Sequence, residues 1–160
     1  AVDLFIIDNV PDNKLRRTFK GAMCEILQFI SGQVHLYECR TKDMKEYLCT
    51  VSKAYYYSRM AIGFLFSFLR AAKWFDFIDR IIQCDDDNSA CCGTVTGRKH
   101  YFKEIMPREV WFPRSTGFFE QEEVFVFNDI DRYLSNLYGD YMQIPPPEKR
   151  ERHFIYKMKF

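Results

Sequence analysis

The fold of the C-terminal region is decided by one stretch, Tyr138-Gly139-Asp140-Tyr141-Met142-Gln143-Ile144-Pro145-Pro146-Pro147-Glu148-Lys149-Arg150-Glu151-Arg152-His153. Apolar side chains at helical spacing lead into it and predict a helix over residues 129–137. Gly139 follows where a helix end favours a residue that tolerates positive φ. The prolines cannot continue a helix and favour an extended chain. The sequence therefore predicts a helix, a stop and a stiff spacer that ends in charged side chains.

The charged cluster that follows the prolines has two interpretations. It is either a solvated C-terminal tail or an arm that carries guanidinium and imidazole groups to a fixed place. Arg150 and His153 are the side chains that such an arm would present. Composition alone leaves both interpretations open.

The length of 160 residues suits a single domain, residues 1–160, with a core of its own. Hydrophobic residues make up 48% of the chain, which excludes a disordered protein. The net charge of +1 provides no overall attraction to nucleic acid. Basic side chains are concentrated in the segments 98–114 and 145–160, and the segment 118–131 between them carries acidic side chains and no basic one. This arrangement suits an anionic ligand in a cleft, and we expect no nucleic-acid partner.

The six cysteines, without a secretory leader, predict reduced, buried thiols and a cytoplasmic location. Cys84, Cys91 and Cys92, followed by His100, could offer four soft ligands to zinc. Their spacing matches no standard zinc site, so zinc is not expected there.

The middle of the chain is predicted to be helical. Residues 10–13 are predicted to form a turn that also starts a helix. Residues 19–30 place apolar side chains on one face of this amphipathic helix, which should end near Gly32. Residues 34–38 are then a short strand or an extended link. Thr41 can cap a second helix that continues to residue 55.

Residues 60–69 form the most hydrophobic stretch, but Arg70 ends it after ten residues, and spanning a membrane takes about 20. The stretch is therefore predicted to be a buried helix or a helix at a membrane interface. Aromatic and basic side chains across residues 60–75 suit the second interpretation, a peripheral contact with a bilayer.

Short strands are predicted on both sides of the helices. Residues 2–8 are an apolar run that indicates a central strand covered on both faces. Asp3 in such a strand needs a metal ion or a lysine as a partner, unless it lies exposed at the start of the strand. Residues 97–102 and 109–112 are predicted strands, and residues 118–127 a hairpin that leads into the last helix.

This order of elements predicts an α+β (mixed α/β) domain, with a helical middle and a C-terminal part of short strands and a helix.

Three segments, taken in order, resemble the LicD family of phosphotransferases, relatives of fukutin in the nucleotidyltransferase-like superfamily. The first segment in the chain is Val2-Asp3-Leu4-Phe5-Ile6-Ile7-Asp8, in which Ile6 stands where the family commonly has proline. The second is Gly97-Arg98-Lys99-His100-Tyr101-Phe102-Lys103-Glu104. The third, which is the most specific, is Tyr138-Gly139-Asp140-Tyr141-Met142 with the prolines that follow it, Arg150 and His153.

The resemblance implies a partial nucleotidyltransferase-like domain. The family's acidic metal-binding motif and glycine-rich opening would lie N-terminal to Asp3, and neither is in this sequence. The chain is therefore expected to lack the N-terminal metal-binding segment and to be inactive alone.

The function that the resemblance implies is transfer of a phospho-alcohol group, such as phosphocholine, from a CDP-linked donor to a sugar of a cell-surface glycan. The partners are then a CDP-alcohol donor and a glycan acceptor. The cofactor would be a divalent metal, Mg²⁺ or Mn²⁺, with most ligands upstream. Asp3 would be a catalytic metal ligand, and Asp8 would support that ligand shell.

Six residues are predicted by the resemblance to bind substrate. Lys103 and Arg150 would contact phosphate, because their cationic side chains neutralise its charge. The others are Glu104, Tyr138, Asp140 and His153. Tyr138 would line a sugar or base, Asp140 would order the turn at Gly139, and His153 would add charge. The alternative is a non-catalytic binding or structural module derived from this fold.

Overall fold

The computed structural model describes residues 4–83, 88–97 and 99–150. Its helices are α1 (Lys14–Glu38), α2 (Lys42–Val51), α3 (Lys53–Phe66), α4 (Ala71–Ile82), α5 (His100–Lys103), α6 (Arg108–Trp111) and α7 (Ile130–Tyr138). Its strands are β1 (Asp8–Val10), β2 (Cys91–Gly93), β3 (Ile105–Pro107), β4 (Ser115–Phe119) and β5 (Glu122–Val126). The predicted α+β class, with a helical middle, is confirmed.

The strands form two antiparallel sheets. In the first, β2 lies between β1 and β3, with Val10 opposite Cys91 and Cys92 opposite Met106. In the second, β4 and β5 form the predicted hairpin, which turns at Glu120 with a φ of 56°.

The first sheet separates two hydrophobic cores because successive strand residues point to opposite faces. Val10 packs on one face with side chains of α1 and α4, among them the buried Cys24 and Ile78. Cys92 and Met106 pack on the other face against Val110 and Trp111 of α6. The C-terminal helix α7 joins this second core through Tyr133.

Helix α1 begins where the sequence predicts it, but it continues far beyond Gly32. The Asn13 side chain accepts hydrogen bonds from the backbone N–H groups of Leu15 and Arg16, at 3.0 and 3.1 Å. The predicted end near Gly32 and the link at residues 34–38 are wrong. Val34 is fully buried among residues of α1 and α4, so this tertiary packing keeps the segment helical.

The second predicted helix is interrupted. Thr41 caps α2 by accepting from the backbone N–H of Met44 at 3.2 Å, as predicted. The helix breaks at Ser52, whose hydroxyl oxygen then caps α3 by accepting from Tyr55 N–H at 3.3 Å.

The hydrophobic stretch over residues 60–69 is only partly buried. Tyr56 and Gly63 form the buried side of α3, and Gly63 lies against the backbone of Gln33 in α1. Phe64 and Phe68 are 65% and 71% exposed, so the buried-helix interpretation is wrong for this part. Within the described ranges, none of the helices has both the length and the apolar character needed to span a bilayer.

The strand predictions near both ends need correction. The prediction of a central strand at residues 2–8 is wrong. Strand β1 begins only at Asp8 and lies at the edge of the sheet, and Phe5 and Ile6 before it are exposed. The strands predicted at 97–102 and 109–112 are also wrong, because short helices α5 and α6 lie there with β3 between them. The helical turn of α6 buries Val110 and Trp111 together, which an extended segment would place on opposite faces.

The C-terminal helix ends as the sequence predicts. Asp129 accepts from the backbone N–H of Arg132 at 3.0 Å, and Gly139 has a φ of 74°. Pro146 is extended, with a φ of −58° and a ψ of 150°, but a 3₁₀ turn follows over Pro147–Lys149. Arg150 then donates from Nε to the carbonyl of Pro145 at 2.8 Å, so the chain bends back.

Candidate functional site

A small cavity of about 100 Å³ lies where three distant parts of the chain meet. Phe5 comes from the segment before β1, Glu104 precedes β3, and Tyr138 ends α7. Its lining consists of Phe5, Thr94, Gly97, Glu104, Tyr133, Leu137 and Tyr138. Each of the three segments that carry the LicD resemblance therefore contributes to the same cavity.

Glu104 is the buried acid of this cavity, with 2% of its surface exposed. Its Oε1 accepts from the backbone N–H of Lys99 at 2.5 Å, and its Oε2 accepts from the Thr94 hydroxyl. A Cβ at Gly97 would lie 2.7 Å from the Glu104 carboxyl carbon, so only glycine leaves this space for the carboxylate. These donors satisfy a charge whose burial would otherwise be costly.

Tyr133 is held in the cavity by an aromatic cluster. Its ring packs edge-on against Trp111 and Phe127, with centroids 5.2 and 4.6 Å away. Burial raises the pKa of the Tyr133 phenol, and the nearby Glu104 and Tyr138 raise it further, while a hydrogen bond with Thr94 opposes them. Tyr133 is therefore a neutral phenol at physiological pH.

Hydrogen bonds between α7 and the segment before Glu104 fix the position of Tyr138. Asn136 donates from Nδ2 to the carbonyl of Lys103 at 2.7 Å, and the Lys99 ammonium donates to the carbonyl of Asn136. Tyr138, two residues further along α7, is 55% exposed and forms part of the cavity lining.

The structure brings together two of the predicted substrate-binding residues, Glu104 and Tyr138. Lys103, Asp140 and Arg150 are exposed and do not line the cavity. Of these, Asp140 takes part in the turn after Gly139 through its carbonyl, which accepts from Gln143 N–H at 3.2 Å. Their predicted contacts with substrate stay predictions. Asp3 and His153 lie outside the described residues.

Asp8 lies on the other side of the first sheet from Cys92 and Met106, on the face shared with Val10. It is half-buried, and burial raises the pKa of its carboxyl, with Asp79 raising it further and Lys20 lowering it. Asp8 does not line the cavity around Glu104. Its predicted catalytic role depends on Asp3 and stays a prediction.

The metal that the resemblance implies has no complete site among the described residues, where no group of three or more His, Cys, Asp or Glu side chains could hold an ion. Such a metal would depend on Asp3 and on residues outside the described ranges. The neighbouring Cys91 and Cys92 point to opposite faces of β2. Cys92 contacts Asn9 and Arg108, each at 3.5 Å, and Cys84 lies outside the described residues.

Sequence reasoning did not identify Thr94 or Phe5 as parts of the site. Thr94 has no motif of its own, and its role follows from its hydrogen bond to a side chain ten residues away. Gly97 was noticeable only as a member of one of the resembling segments.

No protein-family model, curated protein or solved structure matches this chain. The resemblance to the LicD family therefore depends on the quoted residues alone.

Proposed function

We propose that this chain is a LicD-like phosphotransferase domain that moves a phosphocholine-like group from a CDP-linked donor to a sugar of a cell-surface glycan. The observation that supports this proposal is the meeting of the three resembling segments at one cavity. Segments separated by some 90 and 30 residues converge on Glu104, as parts of one substrate site would. The proposal makes this cavity the place where the alcohol end of the donor binds.

The chemistry of the cavity favours a cationic alcohol such as choline. Phe5, Tyr133 and Tyr138 supply aromatic side chains to the lining, and Glu104 supplies a carboxylate. A quaternary ammonium group gains about 0.5–2 kcal/mol from an aromatic face, more as the site excludes water. Choline would thus be preferred over an uncharged alcohol.

The phosphate end of the donor requires positive charge, since phosphoryl transfer depends on positioning and charge neutralisation. Lys103 and Arg150 are the proposed contacts, and both are exposed. A divalent metal, when bound, would supply further neutralisation of the phosphates.

Titration calorimetry with CDP-choline, CDP-ethanolamine and CDP tests the proposal, each with and without Mn²⁺. CDP-choline should bind more tightly than CDP, and Glu104→Gln should reduce this preference by about tenfold. Glu109→Gln is the matched control, because this exposed acid lies outside the cavity. Arg150→Ala should weaken CDP-choline and CDP equally. Equal binding of CDP-choline and CDP by folded wild-type protein would refute the proposed site.

Release of CMP in the presence of a glycan acceptor separates the two readings of the fold. Turnover would support the transferase. Choline-dependent binding without turnover would support the non-catalytic binding module.

Peripheral membrane contact is a second proposal, and the exposure of apolar side chains at the C-terminal end of α3 and directly after it favours this contact. Phe64, Leu65 and Phe68 are each more than 60% exposed, and Arg70 and Lys73 follow them. Such side chains suit a bilayer interface, where aromatic rings enter the headgroup region and cations contact anionic lipid.

Flotation with liposomes that contain anionic lipid tests this contact. The double variant Phe64→Asp/Phe68→Asp should lose binding. The control Phe118→Asp/Phe119→Asp, on the exposed hairpin strand β4, should retain it. Equal flotation of both folded variants would exclude the contact through α3.

A further inference from the structure

A second cavity, of about 380 Å³, lies between α1, α3 and the start of α5. Its lining consists of Glu25, Gln28, Phe29, Gly32, Gln33, Arg59 and His100. None of these residues lines the cavity around Glu104. Its side chains include a guanidinium, an imidazole and a carboxylate, held in part by two glutamines.

A hydrogen bond with Gln28 determines which ring nitrogen of His100 is available to this cavity. Gln28 donates from Nε2 to the carbonyl of Val95 at 3.1 Å, which fixes the amide with its oxygen toward His100. That oxygen lies 3.1 Å from Nδ1 of His100 and can only accept a hydrogen bond. Nδ1 therefore carries a proton, and Nε2 is the nitrogen available to a ligand.

The backbone at His100 is held in an unusual conformation. Its φ is 63°, in the left-handed region that few residues other than glycine adopt. The conformation is kept by a hydrogen bond from His100 N–H to the carbonyl of Gly97 at 3.2 Å. Backbone strain of this kind is concentrated at functional sites, where it holds a side chain in the position that its function needs.

Two hydrogen bonds position the Arg59 guanidinium. Its Nε donates to Oε1 of Gln33 at 2.6 Å, and its Nη1 donates to the hydroxyl of Tyr55 at 2.8 Å. Gln33 is 2% exposed and donates to the carbonyl of Phe29 at 3.1 Å, which fixes the orientation of its amide. In the described part of the chain Nη2 makes no hydrogen bond, so this end of the guanidinium can donate to a ligand.

Gly32 leaves the wall of the cavity open. A glycine inside a helix is unfavourable relative to alanine. Among described atoms, nothing lies within 4 Å of a Cβ built at Gly32, so packing does not explain the glycine. Its effect is to leave space beside Phe29, whose ring is 54% exposed and forms an apolar wall.

We propose that this cavity is a second binding site, and that its ligand is a sugar monophosphate. Arg59 and His100 bind the phosphate, Glu25 accepts a hydrogen bond from a sugar hydroxyl, and Phe29 packs against the ring. Arginine fits phosphate because its N–H groups grip two oxygens at once.

A phosphate monoester can form a hydrogen bond with Nε2 of His100 in either of its two ionic forms, the monoanion and the dianion, which interconvert with a pKa of about 6. A phosphate monoanion donates its proton to Nε2, and a dianion accepts from Nε2–H of the charged ring. In both cases Nδ1–H stays bonded to Gln28.

Titration calorimetry with glucose 6-phosphate, glucose and inorganic phosphate tests the site on the whole chain. Glucose 6-phosphate should bind more tightly than phosphate, and glucose should not bind measurably. Arg59→Gln should weaken glucose 6-phosphate binding by about tenfold or more. Arg16→Gln removes the same charge from an exposed position on α1 and should leave binding unchanged.

Two further variants separate binding from folding. His100→Asn keeps a residue that tolerates positive φ and can donate to Gln28, but it removes Nε2. Gly32→Leu fills the cavity without contacting a described atom at Cβ. Both should weaken binding while the far-UV circular dichroism stays that of the wild type. No binding of glucose 6-phosphate, or equal losses in Arg59→Gln and Arg16→Gln, would overturn the proposal.

Discussion

The same substitution, glycine to alanine, should have opposite effects on stability at two positions of this fold. Gly97 lies against the buried carboxylate of Glu104, whereas Gly32 lies in a helix with open space around its Cβ. Both substitutions restrict the unfolded chain similarly, which alone favours folding by about 0.4–1 kcal/mol. The difference between them therefore reports on the folded state.

At Gly97 the added methyl group has no room. It would lie 2.7 Å from the carboxyl carbon and 2.8 Å from Oε1 of Glu104, closer than carbon contacts occur. The carboxylate can move away only by weakening its bonds to Lys99 N–H and the Thr94 hydroxyl. A hydrogen bond to a charged group contributes about 1.5–3 kcal/mol, and overpacking costs about 1–3 kcal/mol. We expect Gly97→Ala to lower the free energy of unfolding by about 1–2 kcal/mol, after the unfolded-state gain.

At Gly32 no described atom lies within 4 Å of the new methyl group. Alanine is more favourable than glycine inside a helix by about 0.8–1.0 kcal/mol. We expect Gly32→Ala to raise the free energy of unfolding by about that amount. The two variants should thus differ by about 2–3 kcal/mol.

Urea denaturation followed by circular dichroism measures both effects, provided that the slope m is unchanged. A double-mutant cycle assigns the Gly97 effect to its cause: in a Glu104→Ala background, where the carboxylate is absent, Gly97→Ala should cost much less. If Gly97→Ala is as stable as the wild type, or if its cost persists without the Glu104 carboxylate, the buried position of Glu104 is wrong.

Three further predictions concern titratable groups. Burial raises the pKa of the Asp8 carboxyl above its ordinary 3.8. Between pH 3.8 and this raised pKa, the folded protein keeps a proton that the unfolded chain releases. The free energy of unfolding therefore falls as pH rises through this range. Urea titrations at several pH values should therefore show Asp8→Asn more stable than the wild type at neutral pH and not below pH 3.8; a gain that persists there would contradict this cause. Burial raises the pKa of the Cys24 thiol to about 11. A thiol reagent at pH 8 should therefore label the exposed Cys39 well before Cys24, which peptide mass spectrometry would show. Equal labelling rates for the two cysteines would refute this prediction. Long-range ¹H–¹⁵N spectra should show His100 protonated at Nδ1 when neutral, and Gln28→Leu should abolish this preference; an Nε2-protonated ring in the wild type would contradict the hydrogen bond to Gln28.

The parts of the fold that the sequence predicts correctly are those that local chemistry decides. Asn13, Thr41 and Asp129 each cap a helix with their own side chain, within three residues of the donor. Gly139 ends α7 because it can adopt a positive φ. In these cases the interaction and the residues that make it lie within one turn of the chain.

Predictions failed where contacts distant in sequence decide the structure. Residues 34–38 have no strong helical signal, yet Val34 is buried in the core with α4 and holds them in α1. The segment at 108–111 is rich in strand formers, but its helical turn brings Val110 and Trp111 into one core. Short apolar segments fit a strand and a helix equally well until their packing partners are known.

The candidate site shows the same division. Glu104 and Tyr138 were expected from the resemblance, and both line the cavity. Thr94 and Phe5 were not expected, because they matter only through the side chains that the fold brings beside them. The cavity with Arg59 and His100 was not expected either, since it joins three helices whose packing no local motif indicates.

The hydrogen bonds of Glu104 limit the part it can take in either proposed function. Each of its oxygens accepts a bond from a fixed donor, the Lys99 N–H or the Thr94 hydroxyl, and such charge-assisted bonds are stronger than bonds to a neutral group. A general base must instead be free to take a proton from substrate. Glu104 therefore acts through its charge, so Glu104→Gln should change the affinity for a cationic ligand and leave the rate of the bound complex near that of the wild type. If this substitution abolishes turnover of saturated enzyme instead, Glu104 takes part in proton transfer and its bonds must rearrange when substrate binds.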